Sequence, residues 1–188
     1  MATEIKSVAG LLKMYNNCND PVRSYFEHLP SLLAQFPLEV ALAYAFSRLE
    51  LGQNRALYAG VIKLHRVNAD VATNVINTHH MTRKEFVQLY KTVFGFSMRE
   101  SALNALGTAE STRDTIMHGK STTSAKIRNA LAGVLEYAEA MNNQLYQRCE
   151  IRPYGDLRGI TGRAKKHDKR TSSFVLKGMG FTGSVMAT

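Results

Sequence analysis

The chain has 188 residues, 45% of them apolar and 21% charged, with a net charge of +9 and a pI near 9.7. That length holds one domain with a proper core, or one domain with an appendage. The longest apolar run, Leu38 to Phe46, falls far short of the ~20 residues that span a bilayer, and the first residues lack the basic-then-apolar pattern of a secretory leader. Cys18 and Cys149 stand too far apart for a metal-ligand pair, and separate reduced thiols in a cytoplasmic protein are the expectation.

In chain order, the periodicity predicts helices over residues 3–16 and 22–34, with Asp20-Pro21 and Pro30 as punctuation. Apart from Glu39, the segment after Pro37 is apolar on every side from Leu38 to Phe46, as a helix in the middle of a bundle should be. Thr82-Arg-Lys-Glu85 and Ser97-Met-Arg-Glu100 read as capping boxes that open two further helices. Behind the first, Phe86, Leu89, Tyr90 and Val93 share one face. Ile127, Leu131, Val134, Ala138, Met141 and Leu145 then form one long stripe, started by the Ser/Thr cluster at 121–124 and running to about residue 148. No alternating strand pattern precedes residue 150. The fold class is therefore all-α, a helical bundle over residues 1–150.

Beyond residue 150 the composition changes. Arg152-Pro153-Tyr154-Gly155 ends the helical pattern, and six of the 13 glycines lie beyond residue 150. Residues 151–188 carry eight Lys/Arg against two Asp, net +6, whereas residues 1–150 carry 16 basic against 13 acidic groups, net +3. This reads as a basic, Gly-rich C-terminal extension, extended or partly disordered, with a short hairpin or docked arm over 172–186. Such an appendage supplies a salt-sensitive grip on phosphates through Arg163, Lys165, Lys166, Lys169 and Arg170. The alternative is a solvated tail that keeps the protein in solution.

One stretch carries chemistry. Arg113-Asp-Thr-Ile-Met-His118 is followed by Gly119 and Lys120. With 13 arginines and 6 histidines, any fixed Arg-to-His step arises about 0.4 times by chance, and Arg23 to His28 repeats the same step. Context separates the two. His28 lies among Tyr25, Phe26 and Pro30, as on the partly buried face of a helix. Gly119 is a natural left-handed C′ residue and places His118 in a last helical turn. Asp114, four residues earlier, is placed to orient the imidazole. RNA can be cut without metal when one group removes the 2′-hydroxyl proton, another protonates the leaving oxygen and a cation holds the phosphate. His118 suits the proton transfer and Arg113 the phosphate, with Lys120, Lys126 and Arg128 extending the anionic track. On a regular helix, however, residues five apart diverge by about 140°.

The Arg113–His118 step, its polar neighbour Asp114 and the Gly119-Lys120 behind it resemble the R-x4–6-H motif of HEPN domains. The likeness covers residues 97–148. It implies a homodimeric helical bundle whose motifs meet in a cleft, with Arg113, His118 and Asp114 in the motif positions. It further implies RNA as substrate, no cofactor and no metal, and activity as a metal-independent endoribonuclease in toxin–antitoxin or phage-defence systems, with an antitoxin protein as a partner. Lys120 stands where members paired with a nucleotidyltransferase antitoxin often carry tyrosine, so adenylylation there is not implied. Many HEPN domains bind without cutting. A non-catalytic helical RNA- or DNA-binding module, or a helical protein-interaction adaptor, are therefore the alternatives.

Other residues fit packing better than chemistry. His79-His80 are adjacent and point ~100° apart on a helix, a poor metal clamp. His65 reads as a packed or rim histidine, and Gly178 to Gly183 lacks the strand–turn–helix setting of a phosphate loop. Tyr137, Tyr146 and Tyr154 are the aromatics available for base stacking if they are not in the core.

Overall fold

A computed structural model describes residues 4–161 and 164–183. Among these residues the chain is all-helical: α1 (Val8–Asn17), α2 (Asp20–Tyr25), α3 (Leu29–Gln35), α4 (Leu38–His65), α5 (Ala69–Thr78), α6 (Arg83–Phe94), α7 (Glu100–Met117), α8 (Ser124–Cys149) and α9 (Lys169–Gly178). The two long helices, α4 and α8, pack together at the centre. The helices α3, α5 and α6 cover α4, α1 and α7 cover α8, and α9 lies on α5. None of the described helices is long and apolar enough to cross a membrane.

Local chemistry accounts for most of the helix starts. Ser7, Asn19, Asn68, Thr123 and Asp168 each accept a backbone N–H of the first turn of α1, α2, α5, α8 and α9. Thr82 and Glu85 form the reciprocal capping box at α6. The predicted helix over 22–34 is instead two, interrupted at 26–28. Pro30 has no N–H to return to Phe26, whose carbonyl accepts the Leu29 N–H instead (2.9 Å), so α3 starts afresh at Leu29.

The second predicted capping box does not form. Helix α7 starts at Glu100, with Arg99 as an extended N-cap whose side chain does not cap. The Gln144 carboxamide of α8 decides this: its Oε1 accepts the Arg99 N–H (3.3 Å) and its Nε2 donates to the Ser97 carbonyl (2.8 Å). A tertiary contact holds 97–99 extended where a local cap would have coiled it. The opening of α4 also departs from expectation, since Val40 and Ala43 face solvent. The fully buried part lies further on, at Ala56, Leu57, Ala59, Val61 and Ile62, where α5, α6 and α8 close around it.

The segment after α8 belongs to the body. Tyr154 is fully buried, and Asn142 clamps its backbone at both N–H and C=O, each at 2.9 Å. Its hydroxyl donates to the Leu49 carbonyl at 3.2 Å. A Cβ on Gly52 would lie 2.0 Å from the Tyr154 ring, so a glycine in mid-helix makes the hollow that receives it.

Residues 169–178 form a helix where an extended arm or hairpin was expected. Leu176, at 1% exposure, and Phe181, at 4%, insert into the body, which supplies the burial a solitary basic segment lacks. Ser172 Oγ accepts the Asn68 N–H (2.9 Å), the His167 N–H donates to the Arg66 carbonyl (2.9 Å), and the Thr182 N–H donates to His79 Nδ1 (3.1 Å). The Thr171 backbone N–H and then its hydroxyl, both donating to Asp168, hold that carboxyl below the ordinary aspartate range. Because the folded value is depressed, this capping stabilises α9 above the unfolded-chain value of about 3.9 and is lost as pH falls through the folded value. Acidification is expected to move the NMR amide signals of α9 to random-coil positions before those of α4, and Asp168→Asn, a neutral cap, should remove most of that early step.

Candidate functional site

The site is built on the end of α7. The His118 N–H donates to the Asp114 carbonyl (3.0 Å), Gly119 turns the chain with φ +69°, and the Lys120 N–H closes back on the Thr115 carbonyl (3.0 Å). This left-handed glycine ends the helix and leaves His118 exposed at its tip. Among the described residues the His118 ring has no hydrogen bond or ion pair. It borders a pocket of about 460 Å³ with Glu110, Ser111, Asp114, Thr115 and Lys120.

Arg113 faces elsewhere. Its guanidinium lies 4.9 Å from the centre of the Phe46 ring and pairs with Glu50 at 2.9 Å, both on α4. It also meets Asp114 Oδ1 at 3.2 Å. Arg113 is not among the residues lining the His118 pocket, in keeping with their divergence around a regular helix. Asp114, expected to orient the imidazole, is instead joined to Arg113, because the long arginine arm folds along the helix to its neighbour. Within one chain Arg113 and His118 therefore lie on different faces of α7, while Asp114 borders the His118 pocket.

The basic track divides as well. Lys120 lines the His118 pocket, and Lys126 lines a larger trough of about 750 Å³ beside it, between α7 and the start of α8. Arg128 does not join them: its Nε donates to the Ile5 carbonyl at 3.0 Å, which ties down the approach to α1. Lys165, Lys169 and Arg170 are exposed, whereas Lys166 Nζ donates to the Ile62 carbonyl near the end of α4 (3.0 Å). Ile62 lies twelve residues beyond Glu50 on α4, about 18 Å at 1.5 Å per residue, so Lys166 is anchored well away from the Arg113–Glu50 contact. Arg163 lies outside the described residues.

Several side chains at the site went unread in the sequence. Arg83 reaches from α6 across Gly107, donating to Glu110 (2.8 Å) and to the Leu103 carbonyl (2.6 Å). Burial raises the Glu110 carboxyl, and Arg83 offsets part of that rise. Asn104, Thr108, Ser111 and Thr115 form a polar stripe at steps of four, three and four along α7. That spacing was the signal that would have found them.

The remaining candidates resolve into structure. His28 is exposed rather than partly buried, beside Glu27 at 3.7 Å, and Arg23 pairs with Asp20 and donates to the Asn16 carbonyl. His65 Nε2 donates to the Val93 carbonyl at 2.7 Å, and His79 holds the segment after α9. Tyr137 is buried and bonded to Gln53 (3.0 Å). Of the three tyrosines only Tyr146 is exposed, with the Arg152 guanidinium 3.5 Å from its ring centre. Both cysteines are free thiols, and burial followed by the Glu139 charge pushes Cys18 up to about 12, which leaves it un-ionised near neutrality. No family model, curated protein or solved structure matches the chain.

Proposed function

We propose that the chain is a metal-independent endoribonuclease of the HEPN type, acting in the cytoplasm as a homodimer and held by an antitoxin protein in a toxin–antitoxin or phage-defence setting. The observation that carries this reading is His118 itself: an exposed imidazole, unengaged by the protein, at a helix tip beside Lys120 and open to a polar pocket.

In the reaction the 2′-hydroxyl loses its proton and its oxygen attacks the adjacent phosphorus. The bond from phosphorus to the 5′-oxygen breaks, and that oxygen takes up a proton. His118 serves one of these proton transfers, and Lys120 offsets phosphate charge. Arg113 of the same chain faces α4, so its planar fork reaches the phosphate from a second copy. The exposed cations around α9 hold more distant phosphates.

Incubation of the protein with total RNA in EDTA tests the assignment. Cleavage is expected, and intact RNA would overturn it. A non-catalytic RNA- or DNA-binding module is the second reading, favoured by the Arg113 guanidinium being already taken by Glu50 and Asp114. That pair also yields a graded expectation. Glu50→Gln should free Arg113 and raise RNA affinity by a few-fold, since a half-exposed ion pair is worth about 0–1 kcal/mol. Fluorescence anisotropy at fixed salt measures this, and unchanged affinity would mean that Arg113 does not meet phosphate.

A further inference from the structure

The trough beside the His118 pocket has a lining that points to a particular ligand. The two hollows share Gly107, Ser111 and Thr115, so they adjoin along α7. From His118 back to Asn104 is fourteen residues, about 21 Å of helix, and the trough's volume of about 750 Å³ lies within the range of small-molecule sites, ~300–1,000 Å³. A stretch of that length accommodates several stacked nucleotides at about 3.4 Å each.

The chemistry of the lining is polar and largely uncommitted. Lys126 has no ion pair among the described residues, and the Asn104 carboxamide makes no hydrogen bond among them. Asn129 Oδ1 accepts the Ile5 N–H at 2.8 Å, which leaves its Nδ2 as the group to donate. Arg83 and Glu110 neutralise each other, so the free positive charge sits toward the end where Lys120 and Lys126 lie.

The threonines are more specific. Thr108 donates its hydroxyl hydrogen to the Asn104 carbonyl (3.4 Å) and Thr115 to the Ser111 carbonyl (2.8 Å). A hydroxyl whose hydrogen is spent offers only lone pairs. Those two hydroxyls therefore present acceptors, and the ribose 2′-hydroxyl is the donor that RNA has and DNA lacks.

We infer that this trough seats the unpaired ribonucleotides flanking the cleaved phosphate, with Thr108 and Thr115 accepting from 2′-hydroxyls and Asn104 and Asn129 meeting base edges. The inference rests on the ribonuclease reading for where the strand enters, and its test separates the two. His118→Ala protein is titrated with a short fluorescein-labelled single-stranded RNA of mixed sequence and with the matching DNA. RNA should bind about tenfold more tightly, the scale of one or two hydrogen bonds. Adding Thr108→Val and Thr115→Val, which keep shape and remove the acceptors, should bring RNA down to the DNA value. Ser111→Phe, on an exposed position, should block both ligands, with an unchanged circular dichroism spectrum showing the fold intact.

Valine variants that keep the full RNA preference, or a Ser111→Phe protein that binds as its parent does, overturn the trough assignment even if the wild type cleaves RNA. A wild type that leaves RNA intact, alongside a preference that the valines abolish, overturns the catalytic reading and supports the trough. Absence of RNA binding by the parent overturns both.

Discussion

Replacing His118 by alanine is expected to lower the rate of RNA cleavage by about 10²–10⁴-fold, the usual worth of a positioned proton-transfer group. The fold should be untouched, because the ring is exposed and its backbone N–H, not its side chain, closes the end of α7. Single-turnover cleavage of a labelled RNA in EDTA measures the effect. Arg23→Ala is the matched control: it alters the other Arg-to-His step, whose residues are engaged with Asp20 and Glu27, and should cleave at the wild-type rate. Equal cleavage by His118→Ala and wild type would remove His118 from the reaction. Arg113→Lys should also lose most activity, since an ammonium keeps the charge and forfeits the bidentate fork. A chain carrying Arg113→Ala mixed with one carrying His118→Ala should recover part of the rate if sites draw on two copies, and none if each chain acts alone.

The largest effect on stability is expected at Tyr154. Truncation to alanine should cost about 3–5 kcal/mol, the range for emptying a large aromatic site in a core. Its ring meets Tyr25 edge-on at 5.3 Å and stacks near Phe26 at 6.1 Å, inside the notch left by Gly52. Urea denaturation followed by helical circular dichroism measures the loss. Tyr154→Phe, which removes only the hydrogen bond to Leu49, should cost about 0.5–1.5 kcal/mol. Gly52→Ala should be destabilising by about 1–3 kcal/mol through overpacking. In the Tyr154→Ala background the clash is gone, and the same change should turn favourable, up to the ~1 kcal/mol that alanine gains over glycine in a helix. Independent, additive effects would mean that the ring does not occupy the notch.

The parts of the fold legible in the sequence were those set by short-range rules. The capping box at Thr82, the long stripe of α8 and the glycine stop after His118 each depend on residues within a turn or two of one another. What escaped depends on partners far along the chain. Ser97 loses its cap to Gln144, forty-seven residues away, and Gly52 has meaning only once Tyr154 is placed beside it. The helix α9 is weakly apolar by itself and acquires its burial from α5. At the site the same division holds. The exposure of His118 follows from Gly119, whereas the Glu50 contact that turns Arg113 toward α4, and the Ile5 contact that removes Arg128 from the track, carry no local signature.

The docking of α9 also bears on the order in which the chain acquires its structure. Among the described residues, the hydrogen bonds that fasten it to the body span about a hundred residues, as in Arg66 to His167, Asn68 to Ser172 and His79 to Thr182. Contacts of that separation are slow to form, since the loop between them must be closed before any is rewarded. A chain made from its N-terminus has α4 and α5 in hand well before α9 emerges. The most basic of the described helices is therefore the last to be fixed, and until then its cations move independently of the helices that later hold them in place.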